Sequence, residues 1–263
     1  MSGTHEIEYT PEFIRRLELL WGDGFLSPGG PEEVDEIVRD VDLAGRQVLD
    51  VGIGTAGPAL RLTEAHNAGH ITGIDVEAPV LEEAARRITE KGLGDRIATQ
   101  LVEPGPLPFG DTSFDVVFSK DSVIHIPDKQ AFFAECRRVL KPGGWLAISD
   151  WFGVDAPVTP EMQRYLDGPL DFKMAPIERG RALLAASGFA NIVARDRNAW
   201  FVTQVEREVD WVEQEGHALV AREQGQDVAD AFAERTVLRL TVAQQGQLRP
   251  GHLRAKKPVE AAA

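Results

Sequence analysis

One residue in 263 is cysteine, Cys136, and it lies inside a helical pattern. No disulfide can form within the chain, and no cysteine-rich cluster is there to hold a metal; the sequence points to no metal site. Basic residues are few beside acidic ones, 28 Lys and Arg against 42 Asp and Glu, which leaves a formal net charge of −14. Phosphates need a basic face, so this balance argues against nucleic acid as a partner. Long hydrophobic runs are missing too: nothing approaches the roughly 20 apolar residues that a membrane-spanning helix needs. The first residues are polar and acidic, unlike a secretory signal. Together these absences predict a chain of the reducing cytoplasm that handles a small molecule and has no membrane partner. Nothing in the sequence sets an oligomeric state.

What is present is material for a core. The chain is 43% hydrophobic, enough for one large α/β domain with additions. Apolar runs bounded by Gly, Pro and Asp predict strands over 47–51, 70–75, 97–102, 114–119, 145–150 and 191–196. Between them, apolar residues at helical spacing predict helices that start near 57 and 77 and others over 129–140 and 177–187. Strand and helix in alternation call for a parallel sheet covered on both faces. Two further helices are expected before this core, over 10–20 and 31–41, and two after it, over 205–223 and 228–244. A closing strand over 247–254 would run antiparallel. The expected fold is therefore doubly wound α/β, a seven-stranded, mostly parallel, Rossmann-like sheet with helical lid insertions. Its parts are an N-terminal helix and lid loop (1–30), the core (31–200), a helical insertion (201–246), the closing strand (247–255) and a disordered tail (256–263).

The run Val48-Leu49-Asp50-Val51-Gly52-Ile53-Gly54-Thr55-Ala56-Gly57 carries the most chemistry. A buried strand breaks into a glycine turn, where Gly52 and Gly54 allow a ligand to approach the backbone. About twenty residues on, His70-Ile71-Thr72-Gly73-Ile74-Asp75 ends a second strand in a carboxylate, placed to accept two ribose hydroxyls. The glycines fit a nicotinamide dinucleotide as well as S-adenosylmethionine. Asp50 favours the second, since a carboxylate there opposes a pyrophosphate and suits a cationic amino group.

The core resembles the class I S-adenosylmethionine-dependent methyltransferases over about residues 30 to 196. The likeness rests on VLDVGIGTAG, on GIDV ending at Val76, on LPFGDTSFDVVFS (107–119) and on RVLKPGGWLAISD (138–150). It implies S-adenosylmethionine as cofactor, held by Leu26, Ser27, Asp50, Gly52, Gly54, Asp75, Val76, Glu103, Pro104 and Lys120. A narrower resemblance is to phosphoethanolamine and related small-amine N-methyltransferases. Tyr9-Thr10, the loop ending Leu26-Ser27-Pro28-Gly29-Gly30, and Ser119-Lys120-Asp121-Ser122-Val123-Ile124-His125 carry it. That family implies Tyr9, Asp121 and His125 as catalytic residues, with Tyr9 and His125 meeting over the site. It also implies Asp121, Trp151, Phe172 and Arg239 as substrate contacts. An alkylamine is mostly protonated at neutral pH, so a base that titrates in the range of histidine has a purpose there. Leu170 and Phe172 stand where phosphobase enzymes have an arginine and a tyrosine, which leaves a carboxylate-bearing amine as open as a phosphorylated one. An O- or C-methyltransferase of a small natural product or quinone is the alternative.

Overall fold

The computed structural model describes residues 9–168 and 170–259. Strands β1 (Gln47–Val51), β2 (His70–Asp75), β3 (Ile97–Leu101), β4 (Phe114–Lys120), β5 (Leu140–Phe152), β6 (Ala190–Asp196) and β7 (Arg249–Lys256) form one sheet in the order β3-β2-β1-β4-β5-β7-β6. The first five run parallel, and β7 is antiparallel to both β5 and β6. The order reverses between β1 and β4, and in sheets of this kind the crevice beyond the strand ends at such a switch binds ligands.

Helices α1 (Pro11–Trp21), α2 (Gly30–Ile37), α3 (Gly57–Glu64), α4 (Ala78–Glu90), α5 (Lys129–Val139) and α7 (Ile177–Ala186) accompany the sheet; α6 (Pro160–Leu166), α8 (Asn198–Trp211), α9 (His217–Gln224) and α10 (Gln226–Gln244) lie outside it. Local chemistry sets several starts. The Thr10 hydroxyl accepts from the Phe13 N–H and Pro11 occupies the first turn of α1; Asp128 caps α5 through the Ala131 N–H. Apolar side chains fill both faces of the sheet. Val34, Ile37, Ile71 and Ile88 pack on one face, and Leu49, Val117, Phe133 and Leu146 on the other. A third apolar cluster caps the carboxyl ends of β4 and β5, where Ile124, Trp151, Tyr165, Phe201, Leu238 and Val242 meet.

The seven strands appear in the expected order, with several shifted limits. Extended backbone begins at Leu140, because Leu140 already pairs with Phe114 across the register shift in β4, so Lys141-Pro142-Gly143-Gly144 lies within the strand and does not precede it. The helix expected over 205–223 starts at Asn198 and is interrupted by one π-helical turn, Val212–Gly216. A Cβ on Gly216 would run into the Trp211 ring, which folds back over that turn. The closing strand reaches Lys256 rather than ending at 254. Lys257 is buried, its N–H bonded to Gly144 O and its ammonium to Leu140 O, so a disordered tail from 256 is corrected at both residues. Residues 260–263 of that expected tail lie outside the described residues. Helix α6 was not foreseen from the sequence. Among the described residues, no helix is long and apolar enough to cross a membrane and no group of His, Cys, Asp or Glu is arranged to hold a metal.

Candidate functional site

The switch point brings two separated stretches together, the glycine turn after β1 and the Lys120–His125 segment after β4. The Ser122 hydroxyl donates to Gly52 O at 3.3 Å. A Cβ on Gly52, whose φ is +76°, would come 2.0 Å from that hydroxyl oxygen. Glycine is therefore required twice over, by its backbone angle and by the Ser122 contact.

On the β1–β2 side stand the carboxylates expected to hold a cofactor. Asp75 ends β2 and accepts from the N–H groups of Gly54 (3.0 Å), Glu77 (3.1 Å) and Val76. Burial still outweighs those bonds and lifts its carboxyl to about 6. Asp50 is 1% exposed, and its Oδ2 has no hydrogen-bond partner. Burial, together with the nearby Asp75, pushes the Asp50 carboxyl up to about 8. A buried carboxylate oxygen without a partner, next to a glycine turn, fits a cationic amino group. The Leu26 side chain closes over Gly54, 3.3 Å from where a Cβ would be. Glu103 and Pro104 are exposed in the loop after β3, at the same edge of the sheet.

On the β4–β5 side Asp121 adopts φ +57°, a left-handed conformation that Asp tolerates better than most residues. It does not cap a helix. Its side chain, 7% exposed, accepts from Ser149 Oγ (2.7 Å) and Lys120 Nζ (3.1 Å). Burial alone would raise the Asp121 carboxyl, but the Lys120 charge and bonds from Ser149 and Ser27 hold it below the usual carboxylate range. Lys120, expected beside a cofactor, spends its ammonium on Asp121, Ser27 Oγ (2.5 Å) and Pro28 O (2.9 Å). It thereby ties the lid loop to β4.

His125 ends the 3-10 turn Val123–His125 and is half-buried. Burial lowers its proton affinity; a ring hydrogen bond to the Asp171 backbone opposes this, and the Lys129 charge reinforces it. The His125 ring lies 5.7 Å from Phe172, which in turn lies 6.1 Å from both Trp151 and Tyr165. The structure thus gathers His125, Phe172 and Trp151 into one aromatic wall and adds Tyr165, which the sequence reading did not single out. Arg239 sits behind Tyr165. It is 5% exposed, pairs with Glu208 at 2.5 Å, stacks over Trp21 at 5.3 Å and is hydrogen-bonded to Tyr165. Its Nε has no partner. Tyr9 leads into α1 with its ring 5.4 Å from Phe13.

Two groups of residues that build the lid were invisible as such in the sequence. Glu18 on α1 accepts from the Gly24 N–H, Thr55 Oγ1 and Arg87 Nη2, while Arg87 Nη1 donates to Thr55 O. Beside them the Gly57 N–H donates to Gly24 O at 2.9 Å, an approach that a Cβ on either glycine would obstruct. These contacts lay the N-terminal segment on the glycine turn. The second group is Trp21–Glu208 (2.8 Å) and Arg15–Glu223 (3.1 Å), which dock α1 against the insertion helices. A cleft of about 310 Å³ between α1, the Gly29–Gly30 turn and α8 is lined by Trp21, Glu32, Arg207, Glu208 and Trp211. The only sequence signal for either group is acid and base at helical spacing, which ordinary solvated helix faces also show.

Comparison with known proteins finds similar sequences and folds. A methyltransferase domain matches residues 49–148. Phosphoethanolamine N-methyltransferase 1 of Arabidopsis thaliana is 32% identical over 227 residues, 85% of this chain and 45% of that protein. The chain thus spans about half the length of the plant relatives it matches. Among solved structures, phosphoethanolamine N-methyltransferase 2 of Haemonchus contortus, complexed with phosphomonomethylethanolamine and S-adenosylhomocysteine, superposes with a TM-score of 0.88 at 24% identity, covering 95% of this chain and 59% of that one. A putative sarcosine dimethylglycine methyltransferase of Galdieria sulphuraria gives a TM-score of 0.74 at 21% identity, over 88% and 86% of the two chains.

Proposed function

We propose that the chain is a class I methyltransferase, as its methyltransferase domain match and its similarity to the phosphoethanolamine N-methyltransferases support, and that it uses S-adenosylmethionine to methylate the nitrogen of a small amine. The observation that carries the reading is the half-buried histidine at the switch point, set in an aromatic wall beside a glycine turn with a partnerless carboxylate oxygen.

Asp50 would take the cofactor's ammonium, Asp75 its ribose, with Gly52, Gly54, Val76, Leu26 and Ser27 around it and Glu103 and Pro104 at the adenine end. When bound, the cofactor supplies an electrophilic methyl group on a sulfonium. The chain's residues do the rest. One ring nitrogen of His125 donates to the Asp171 carbonyl, so the other is the one that takes the acceptor's proton. Trp151 and Phe172 present π faces that suit an ammonium as methyl groups accumulate. Asp121 acts through its field and by fixing Lys120, since both of its oxygens already accept hydrogen bonds. Tyr9 and α1 close over the site and exclude water.

The acceptor's second group is argued from charge. Arg235 stacks over Tyr165 at 4.3 Å and Arg239 bonds the same residue, with Glu208 as the carboxylate paired to Arg239. This excess of positive charge suits an acceptor that carries an anion as well as an amine. Leu170 and Phe172 bring no hydrogen bonds for a phosphate, which favours a carboxylate, as in sarcosine or dimethylglycine. The same apolar lining supports an O- or C-methyltransferase as the second reading. Turnover with S-adenosylmethionine is measured by mass against phosphoethanolamine, sarcosine, dimethylglycine and a catechol. Methyl gain on an amine is expected; gain on the catechol alone would replace this reading with the second.

Cofactor binding is expected to expel a proton. Asp50, neutral over most of the range below pH 8, must ionise to meet an ammonium. Binding enthalpies measured at pH 7 in buffers of different ionisation enthalpy will show net proton release, shrinking above pH 8. Affinity rises with pH over the same interval. In the protein without cofactor the sign is opposite. An acid whose proton affinity is raised by folding costs stability as pH climbs from about 4 to about 8.

A further inference from the structure

A lysine and an aspartate, both largely removed from solvent, converge on the turn that carries His125. Lys129 opens α5, and its ammonium reaches back to donate to Val123 O (2.5 Å) and Ile126 O (3.3 Å). Asp150, 2% exposed near the end of β5, accepts the Ile124 N–H at 2.8 Å. The Lys129 ammonium stands 4.0 Å from Asp150 Oδ2, and an adjoining cavity of about 10 Å³ has room for a single water. The turn's own bonds, His125 N–H to Ser122 O and Ile126 N–H to Val123 O, close at 3.2 and 2.9 Å. Lys173 N–H bonds Ile124 O at 2.7 Å from the outer side. Every residue flanking His125 in the turn is therefore held. A buried ion pair is a poor source of stability, because desolvation offsets the attraction and apolar filling would serve as well. What this pair supplies is direction.

We propose that Lys129 and Asp150 are positioning residues that hold the 123–126 turn so that the His125 imidazole meets the acceptor nitrogen, an inference that rests on the small-amine reading above. The pair also acts on His125 through charge. Burial and the Lys129 ammonium lower the proton affinity of the imidazole, while its bond to the Asp171 backbone and the Asp171 and Glu77 carboxylates raise it. Lys129 thus helps to keep the base neutral and able to accept a proton. Asp150 limits that effect only as it ionises, since burial, aided by the Asp121 charge, lifts its carboxyl to about 7 in spite of Lys129.

The test uses Lys129→Met, Lys129→Arg and Asp150→Asn in the full chain. The His125 imidazole is titrated by NMR, its resonance identified by loss in His125→Ala. In Lys129→Met it is expected to titrate at higher pH than in the wild type, and in Lys129→Arg close to the wild type. With the active amine, kcat should fall about 10- to 100-fold in Lys129→Met and Asp150→Asn. The acceptor KM and cofactor affinity should stay within about twofold. An unmoved titration in Lys129→Met overturns the proposal. So do parallel losses of kcat, affinity and thermal stability, which mark a purely structural pair. If the wild type methylates no small amine, the reading of function fails, and the titration still decides whether Lys129 governs His125.

Discussion

His125→Ala is expected to lower kcat by about 10²- to 10⁴-fold, the range contributed by a positioned general base, with little change in cofactor affinity. The reason is position. His125 lies on the β4 side of the switch point, whereas the candidate cofactor cradle lies at the ends of β1 and β2. The pH profile gives a second signature. Burial and Lys129 hold the imidazole below the ordinary histidine range, so wild-type kcat should fall on the acid side at a pH lower than 6.5. In His125→Ala that limb should vanish, leaving only the titration of the amine itself. Steady-state kinetics between pH 5 and pH 9, with calorimetry of cofactor binding, check both points. A variant that keeps the limb would assign the proton to another group. His125→Asn separates shape from basicity, because it retains a hydrogen-bonding side chain that does not titrate.

Arg87→Met is expected to destabilise the fold by about 3–5 kcal/mol, the usual cost of breaking a buried ion pair by removing one partner. The Arg87 side chain is 3% exposed and its main partner Glu18 is 10% exposed. Of the two other acids it meets, Glu83 keeps its pairing with Arg86, and Asp23 is 80% exposed and can return to water. Glu18 cannot, so most of the loss comes from leaving its carboxylate buried opposite no charge. Burial would still leave Glu18 its bonds from the Gly24 N–H and Thr55 Oγ1. Equilibrium unfolding in urea measures the change. A double variant, Glu18→Gln with Arg87→Met, should recover part of the loss by removing the stranded charge. Cofactor affinity should weaken in Arg87→Met as well, since the Gly24–Gly57 backbone contact depends on this junction. Stability loss without any change in affinity would show that the lid and the glycine turn are energetically separate.

Legibility from sequence followed the range of the interactions. The glycine turn, the acid that ends β2 and the strand–helix alternation were all readable. Each is a local pattern, fixed by backbone angle or by burial of neighbouring apolar residues. Limits were less readable where pairing decided them. Leu140 joins the sheet because Phe114 is opposite, and Lys257 is buried because Gly143 and Gly144 pair with it. Tyr165 gave no motif, being one of only two tyrosines, on a short helix that the sequence did not announce. Arg239 was expected at the substrate, yet its role in the fold as Glu208's partner and Trp21's neighbour appears only when α1, α8 and α10 are assembled.

The sequence by itself determined the fold class and pointed to a candidate cofactor cradle, with Asp50, Asp75 and His125 as candidate chemistry-bearing residues. The fold, the cradle and the two acids rest on short-range periodicity, turn geometry and residue type; His125 rests on the resemblance to small-amine N-methyltransferases. Only the tertiary structure decided how the charges are spent. It turned Lys120 onto Asp121 and the Ser27–Pro28 loop, set Lys129 and Asp150 together against the His125 turn, and left one oxygen of Asp50 unpartnered. The physical reason is separation along the chain. Glu18 and Arg87 are 69 residues apart, and Ser27 and Lys120 are 93 apart. A local pattern carries no information about which distant charge a buried group will meet, and in a low-dielectric interior that meeting decides its protonation and its function.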